Sequence, residues 1–281
     1  MAEDPERQMQ AVALAVAPNG GRRTRADHPA LPQTAEELAA TAAACLEAGA
    51  AMLHCHVRDR EGRHILEADA YRAAVAAVRR AVGDRLVLQI TTEAVGRYRP
   101  HEQMEVVRAV RPEAASLALA ELVPDASHEA AFGTFLEFMK AENIVPQIIL
   151  YHPDEAVRLK DMMARGVVPF DDIPVLYVLG RYTEGQRSAP ADLLPFLAPG
   201  APHFKHFMLC AFGAREATCV ATAAALGGHA RVGFENNLHL ADGRLAPDNA
   251  AIVRGVADAL GALGLARADA DGLRAQWAAL N

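Results

Sequence analysis

Along the chain, short apolar runs rich in branched residues alternate with longer Ala-rich stretches whose apolar positions recur with helical period. The runs at 11–17, 51–57, 86–92, 114–119, 145–151, 173–179, 205–210 and 230–235 predict eight strands. Helices are predicted between them. The first opens on Thr34, has Glu37 three residues on as a capping box, and ends at Gly49. Others are expected at 67–82, 101–110, 127–142, 153–165, 190–197, 213–226 and 247–263, with a last one at 267–279 packed on the outside by Trp277. Strand-then-helix units in series argue for a parallel sheet covered by helices. Eight such units are the number that closes a (β/α)8 barrel, an α/β TIM barrel. A doubly wound open sheet is the alternative, but no GxGxxG follows a strand. No linker rich in Gly, Ser or Pro divides the chain, so residues 1–281 are expected to form a single catalytic domain.

Composition narrows the function classes. The apolar share is 52% with only 5% aromatic, so the core is built from Ala, Val, Leu and Ile. Twenty-eight basic against 35 acidic side chains leave a charge of −7, which supplies no basic face for nucleic acid. Cysteines at 45, 55, 210 and 219 have no CxxC spacing and lie in or beside apolar runs, which fits reduced thiols of a cytoplasmic protein. The N-terminus has no signal-like apolar segment with basic flanks, and no charge-free apolar stretch reaches ~18 residues. No membrane partner is expected.

In a barrel, chemistry collects at the C-terminal strand ends. The second strand ends Leu53-His54-Cys55-His56. Alternate strand residues share a face, so His54 and His56 stand about 6.6 Å apart at Cα and can reach one ion at about 2.0–2.1 Å. Cys55 points the other way, toward the helices. The alternative is two histidines without a metal, which inside a buried strand would leave polar atoms unsatisfied. The eighth strand ends on Glu235, either a third ligand or a cap for the next helix. Two His and one Glu leave a coordination position open, as catalytic rather than structural sites do. Thr91 and Thr92, ending the third strand, either bind a carbonyl or carboxylate or reflect strand preference alone. Arg231 either clamps a carboxylate with two prongs or pairs with an acidic neighbour. The loop through Asn19 either turns the chain or offers backbone N–H groups to an anion.

At these residues the sequence resembles the β-keto acid cleavage enzymes, typified by the 3-keto-5-aminohexanoate cleavage enzyme. The likeness runs through Ala17-Pro18-Asn19-Gly20, Thr24-Arg25-Ala26-Asp27, His28-Pro29-Ala30-Leu31-Pro32-Gln33-Thr34, Glu47-Ala48-Gly49-Ala50, His54-Cys55-His56-Val57-Arg58-Asp59, Gly62-Arg63, Gln89-Ile90-Thr91-Thr92, Ala115-Ser116-Leu117, Val178-Leu179-Gly180 and Arg231-Val232-Gly233-Phe234-Glu235-Asn236-Asn237. It implies a (β/α)8 barrel with one Zn2+, or another divalent ion, on His54, His56 and Glu235. It implies condensation of a β-keto acid with acetyl-CoA, giving acetoacetate and a new acyl-CoA, and a homotetramer. Arg231 matches an arginine at the reacting centre, Thr91 a hydroxyl residue there, and Ser116 lies in a matching stretch.

Three departures from that type enzyme matter. Asn236 stands where it has an Asp that transfers protons, and an amide is no general base at neutral pH. The base is then Glu93 or a metal-bound water. Arg22 and Ile149 stand where it has two Glu residues facing a substrate ammonium. The amino substrate is therefore not expected. Arg22 either accepts a second carboxylate or is neutralised by Glu121. Another metal-dependent aldolase or hydrolase on the same barrel is the catalytic alternative, and a non-catalytic small-molecule binder is the other.

Overall fold

The computed structural model describes residues 10–278. Residues 1–9 and 279–281, which include the expected end of the last helix, lie outside the described residues. Eight parallel strands, Val12–Val16, Met52–Cys55, Val87–Thr91, Ala114–Ala118, Val145–Leu150, Val175–Leu179, Phe207–Ala211 and His229–Val232, pair in chain order. The eighth pairs back onto the first, Leu14 opposite Ala230 and Val16 opposite Val232, which closes the barrel and excludes the open sheet. Both faces of each strand are covered, so the strands read as continuous apolar runs. Their period-2 alternation sorts two cores. Leu14, Val16, Leu53, Cys55, Leu88 and Leu117 belong to the layer between strands and helices. Ala13, Ala15, Met52, Val87, Leu176 and Met208 fill the barrel interior.

The first helix, Ala35–Glu47, begins with the expected Thr34–Glu37 capping box. The barrel floor, at the strands' N-terminal ends, is closed by the final helix, Ala270–Trp277. Its Leu273 and Trp277 pack into the interior cluster. A two-residue strand, Arg267–Ala268, leads into this helix and pairs with the first strand.

Four differences from expectation bear on the site's surroundings. The second strand leaves the barrel after Cys55, not at residue 57. Val57–Arg58 instead pairs antiparallel with His64–Ile65. The Arg58 guanidinium draws the chain outward by donating to the carbonyls of Asn19, Gly20, Arg23 and Gly62. The eighth strand ends at Val232, three residues short of Glu235. At Gly233 φ is +131°, and a Cβ would stand 2.5 Å from the Ala17 carbonyl oxygen, so only glycine turns here. The helix expected at 190–197 is a 3-10 turn, Pro190–Leu193, followed by one turn at Leu194–Leu197, because Pro195 withholds the N–H that a continuous helix would need there. A short helical turn at Leu119–Leu122, unforeseen, follows the fourth strand.

Candidate active site

Three side chains converge at the strands' C-terminal end. His54 is the last inward residue of the second strand, and His56 follows just beyond it. Their Nε2 atoms are 3.1 Å apart. Glu235 sits in the turn after the eighth strand, with Oε2 3.4 Å from His54 Nε2 and 3.5 Å from His56 Nε2. Tetrahedral ligands at zinc-like bond lengths stand about 3.3 Å apart, so the three atoms are spaced to share one cation. They are the only such group among the described residues. Burial drives both imidazoles toward the neutral, ligand-competent form: His54 is lowered to about 4 and His56 well below its ordinary value. Burial alone would raise Glu235, but the Arg231 guanidinium, helped by a hydrogen bond from His56, outweighs it and keeps it ionised.

Each of these groups is held from behind. Asn19 uses its amide on the His56 backbone, donating to its carbonyl at 3.0 Å and accepting from its N–H at 3.3 Å, and also donates to the Pro32 carbonyl. The Asn19 side chain thereby positions His56 while the residue itself lines the cleft. The same loop presses on the site. At Gly20, where φ is +62°, a Cβ would stand 2.6 Å from Glu235 Cγ, and one at Gly21 would strike the Glu93 carboxylate. His54 turns Nδ1 to Gln89 Oε1 at 2.8 Å. The Glu235 turn is anchored by Glu235 N–H donating to the Ala17 carbonyl at 3.1 Å and by Glu216, which accepts from Gly233 N–H at 3.1 Å and Asn237 Nδ2 at 3.3 Å.

Around the triad lie buried polar atoms without protein partners: Glu235 Oε2, Arg231 Nε and Nη1, Ser116 Oγ, and both amide atoms of Asn236. Arg231 spends only Nη2, on Cys210 Sγ at 3.2 Å and Glu235 Oε1 at 3.3 Å. Buried donors and acceptors left open this way cost stability unless something binds them. Glu93 faces the same space. Its carboxylate lies 3.7 Å from His56 Nδ1, 3.1 Å from Arg181 and 3.9 Å from Arg22, and burial, then Glu235, push it up to about 7. Thr91 points inward and accepts from Glu93 N–H at 3.0 Å, keeping its own proton free to donate.

Two expectations are corrected by these placements. Thr92 has the opposite strand parity from Thr91, and its hydroxyl donates to the Ser116 carbonyl at 2.9 Å, away from the site. The carboxylate nearest Arg22 is Glu93, whereas Glu121 accepts from Ala94 N–H at 2.9 Å and forms no ion pair with Arg22 among the described residues. Ile149 packs against the interior apolar cluster.

Four residues beside the site escaped sequence reasoning. Arg181 follows the sixth strand, and the strand-end rule would have found it. Gln147 is an inward position of the fifth strand. His64 reaches the Glu93 carbonyl at 3.0 Å from a hairpin that periodicity does not reveal. Glu216 looks like an ordinary first-turn acid yet is fully buried and raised to about 8 by that burial. The cleft above the triad is lined by Arg22, Glu93, Arg181, Gln186, Phe212 and Glu235. A roomier groove between helices 216–225 and 249–262 touches none of the three converging groups, so its size gives it no claim on the chemistry.

Residues 11–277 match the family model described as beta-keto acid cleavage enzyme. The chain is 27% identical over 271 residues to a 3-keto-5-aminohexanoate cleavage enzyme of Fusobacterium nucleatum subsp. nucleatum, covering 88% of this chain and 90% of that one. It is 27% identical over 260 residues to a 3-oxoadipate:acetyl-CoA acetyltransferase of Cupriavidus necator, covering 88% of each. Among solved structures, ObcA in binary complex with oxaloacetate superposes with TM-score 0.68 at 17% identity, over 89% of this chain and 67% of ObcA. The type I 3-dehydroquinate dehydratase of Clostridium difficile superposes with TM-score 0.57 at 10% identity, over 90% and 92% of the two chains. The structural likenesses establish the barrel, and the sequence match over almost the whole chain establishes more: this protein belongs to the β-keto acid cleavage enzyme family.

Proposed function

We propose a function within what the family establishes, an enzyme of the acyltransferase type that cleaves a carbon–carbon bond. We propose that it is metal-dependent, takes acetyl-CoA as co-substrate, and does not prefer the amino substrate of its 3-keto-5-aminohexanoate-cleaving relatives. The observation that carries this reading is three ligand atoms 3.1, 3.4 and 3.5 Å apart, facing a ring of unpartnered polar atoms. His54, His56 and Glu235 would hold a divalent ion, which we take to be zinc; the spacing and the donor set support that choice. Bound there, it supplies Lewis-acid polarisation of the substrate's keto oxygen.

The chain's own residues do the rest. Arg231 keeps Nε and Nη1 free on different edges of its guanidinium, and one of these N–H donors takes the substrate carboxylate. Ser116 Oγ, the Thr91 hydroxyl and the Asn236 amide orient the reacting carbons. Glu93 takes the proton from the carbon between the two carbonyl groups; its carboxylate reaches the cleft, and Asn236 cannot serve. In balance, C2 of the keto acid joins the acetyl carbonyl as the CoA thiolate leaves it, the thiolate takes the remaining acyl group as the C2–C3 bond breaks, and the proton held by Glu93 returns to C2. Arg22 and Arg181 beside Glu93 make the outer cleft cationic, which suits a neutral or anionic tail and repels an ammonium.

The test is a panel of charged, polar and apolar β-keto acids with acetyl-CoA, monitored for acetoacetate and new CoA thioesters by mass spectrometry. Efficient turnover of the amino substrate overturns the specificity; no thioester from any acid overturns the reaction. Assembly as a homotetramer belongs to the same reading, is supported by the family resemblance, and is checked by analytical ultracentrifugation. No helix of the described residues is long and apolar enough to cross a membrane.

A further inference from the structure

Behind His54 a chain of side chains crosses the barrel interior. His54 Nδ1 lies 2.8 Å from Gln89 Oε1, Gln89 Nε2 donates to Gln147 Oε1 at 3.1 Å, and Gln147 Nε2 donates to Met208 Sδ at 3.8 Å. His54, Gln89, Gln147 and Met208 are all buried, so their polar atoms must find partners within the interior. A primary amide can be turned end for end, so two glutamines in series could run in either direction. The thioether at the far end cannot: it has no hydrogen to give and accepts only weakly.

We infer that Gln147 and Met208 act as positioning residues that decide which nitrogen of His54 carries the proton. Met208 turns the Gln147 amino group toward itself. Gln147 must then present oxygen to Gln89, Gln89 presents oxygen to His54, and His54 keeps its proton on Nδ1. Nε2, the atom 3.4 Å from Glu235, is left with a lone pair. Reversed, the chain would put the proton on Nε2, toward Glu235 Oε2, and an oxygen against sulfur; the sulfur end opposes the pull of that carboxylate. Nothing in the strand pattern distinguishes these two directions; the sulfur at the end does. The consequence for metal affinity rests on the proposed metal site, but the proton's position does not.

The test reads the two separately. In metal-free protein, long-range 15N–1H correlation on labelled histidines, assigned with His54→Gln, should show the Nδ1–H form of His54. Gln147→Leu should give a mixture of the two forms and weaken zinc about 10-fold or more in chelator competition. Met208→Leu conserves packing volume and should shift both readouts in the same direction by less. Adding Gln89→Glu to Gln147→Leu should restore both, because a carboxylate only accepts. An Nε2–H form in the wild type, or an unchanged Nδ1–H form in both Gln147→Leu and Met208→Leu, overturns the inference. If the wild type binds no zinc, the metal reading fails while the proton position still decides this one.

Discussion

The two ends of the barrel each bury a pair of histidines, and only one pair is arranged to do chemistry. At the mouth, His54 and His56 bring Nε2 atoms to 3.1 Å and share Glu235 between them. At the floor, His206 and His229 are also buried, but His229 spends Nδ1 accepting from Ala13 N–H at 3.1 Å, and both His206 ring nitrogens lack a protein partner. No carboxylate joins them into a ligand group among the described residues. Burial and residue type are common to both ends. What separates them is a converging carboxylate and the space left beyond it: the mouth keeps a cleft, whereas the floor is plugged by Leu273 and Trp277.

That difference is broken most sharply at the metal ligands. His54→Ala should lose bound metal, measured by elemental mass spectrometry, and lower turnover by more than about 10³-fold, or about 4 kcal/mol of barrel-mouth stabilisation of the transition state. Retention of metal and activity would place the chemistry elsewhere. Arg231→Lys comes next. It keeps the charge but loses the planar fork, so kcat/KM for the keto acid should fall by about 10²-fold with metal content unchanged. A fall in metal content instead would assign Arg231 to holding Glu235.

The floor should respond in stability and not in rate. Trp277 is buried against the interior cluster and closes the barrel. Trp277→Ala should cost about 3 kcal/mol in urea unfolding, with kcat of the folded fraction unchanged. A parallel loss of kcat would show the two ends to be coupled.

How much of this was legible in the sequence follows from what periodicity reports. Alternation placed His54 and His56 on one face and Cys55 on the other, and strand counting closed the barrel, because both depend only on local pattern. Thr92 was misplaced because the last strand residue was assigned without following the parity that sets it opposite Thr91. The hold of the Asn19 side chain on the His56 backbone was not legible, because the two are distant in sequence. Glu216, Gln147 and the Arg58 cradle are tertiary facts: each is an ordinary polar residue until the fold supplies its partner.

The smallest effect is also the one that separates the histidine pairs without touching the site. His229 is buried, and burial, then His206, lower it from 6.5 to about 4. The unfolded chain therefore takes up a proton that the fold refuses between those two values. The group costs nothing above pH 6.5, and stability is lost as pH falls through 6.5 toward 4, by about 1.4 kcal/mol at pH 5.5. An Asn side-chain oxygen can stand where Nδ1 stands and still accept from Ala13 N–H, so His229→Asn keeps the hydrogen bond and removes the titration. Absolute stability will shift with the altered packing, and the mouth histidines titrate in both proteins, so the quantity to compare is the change in urea-unfolding free energy from pH 8 to pH 5.5. It should be about 1.4 kcal/mol smaller in His229→Asn than in the wild type. Equal changes in the two proteins would mean that water reaches the floor and that its histidines differ from those at the mouth in partners alone, not in burial.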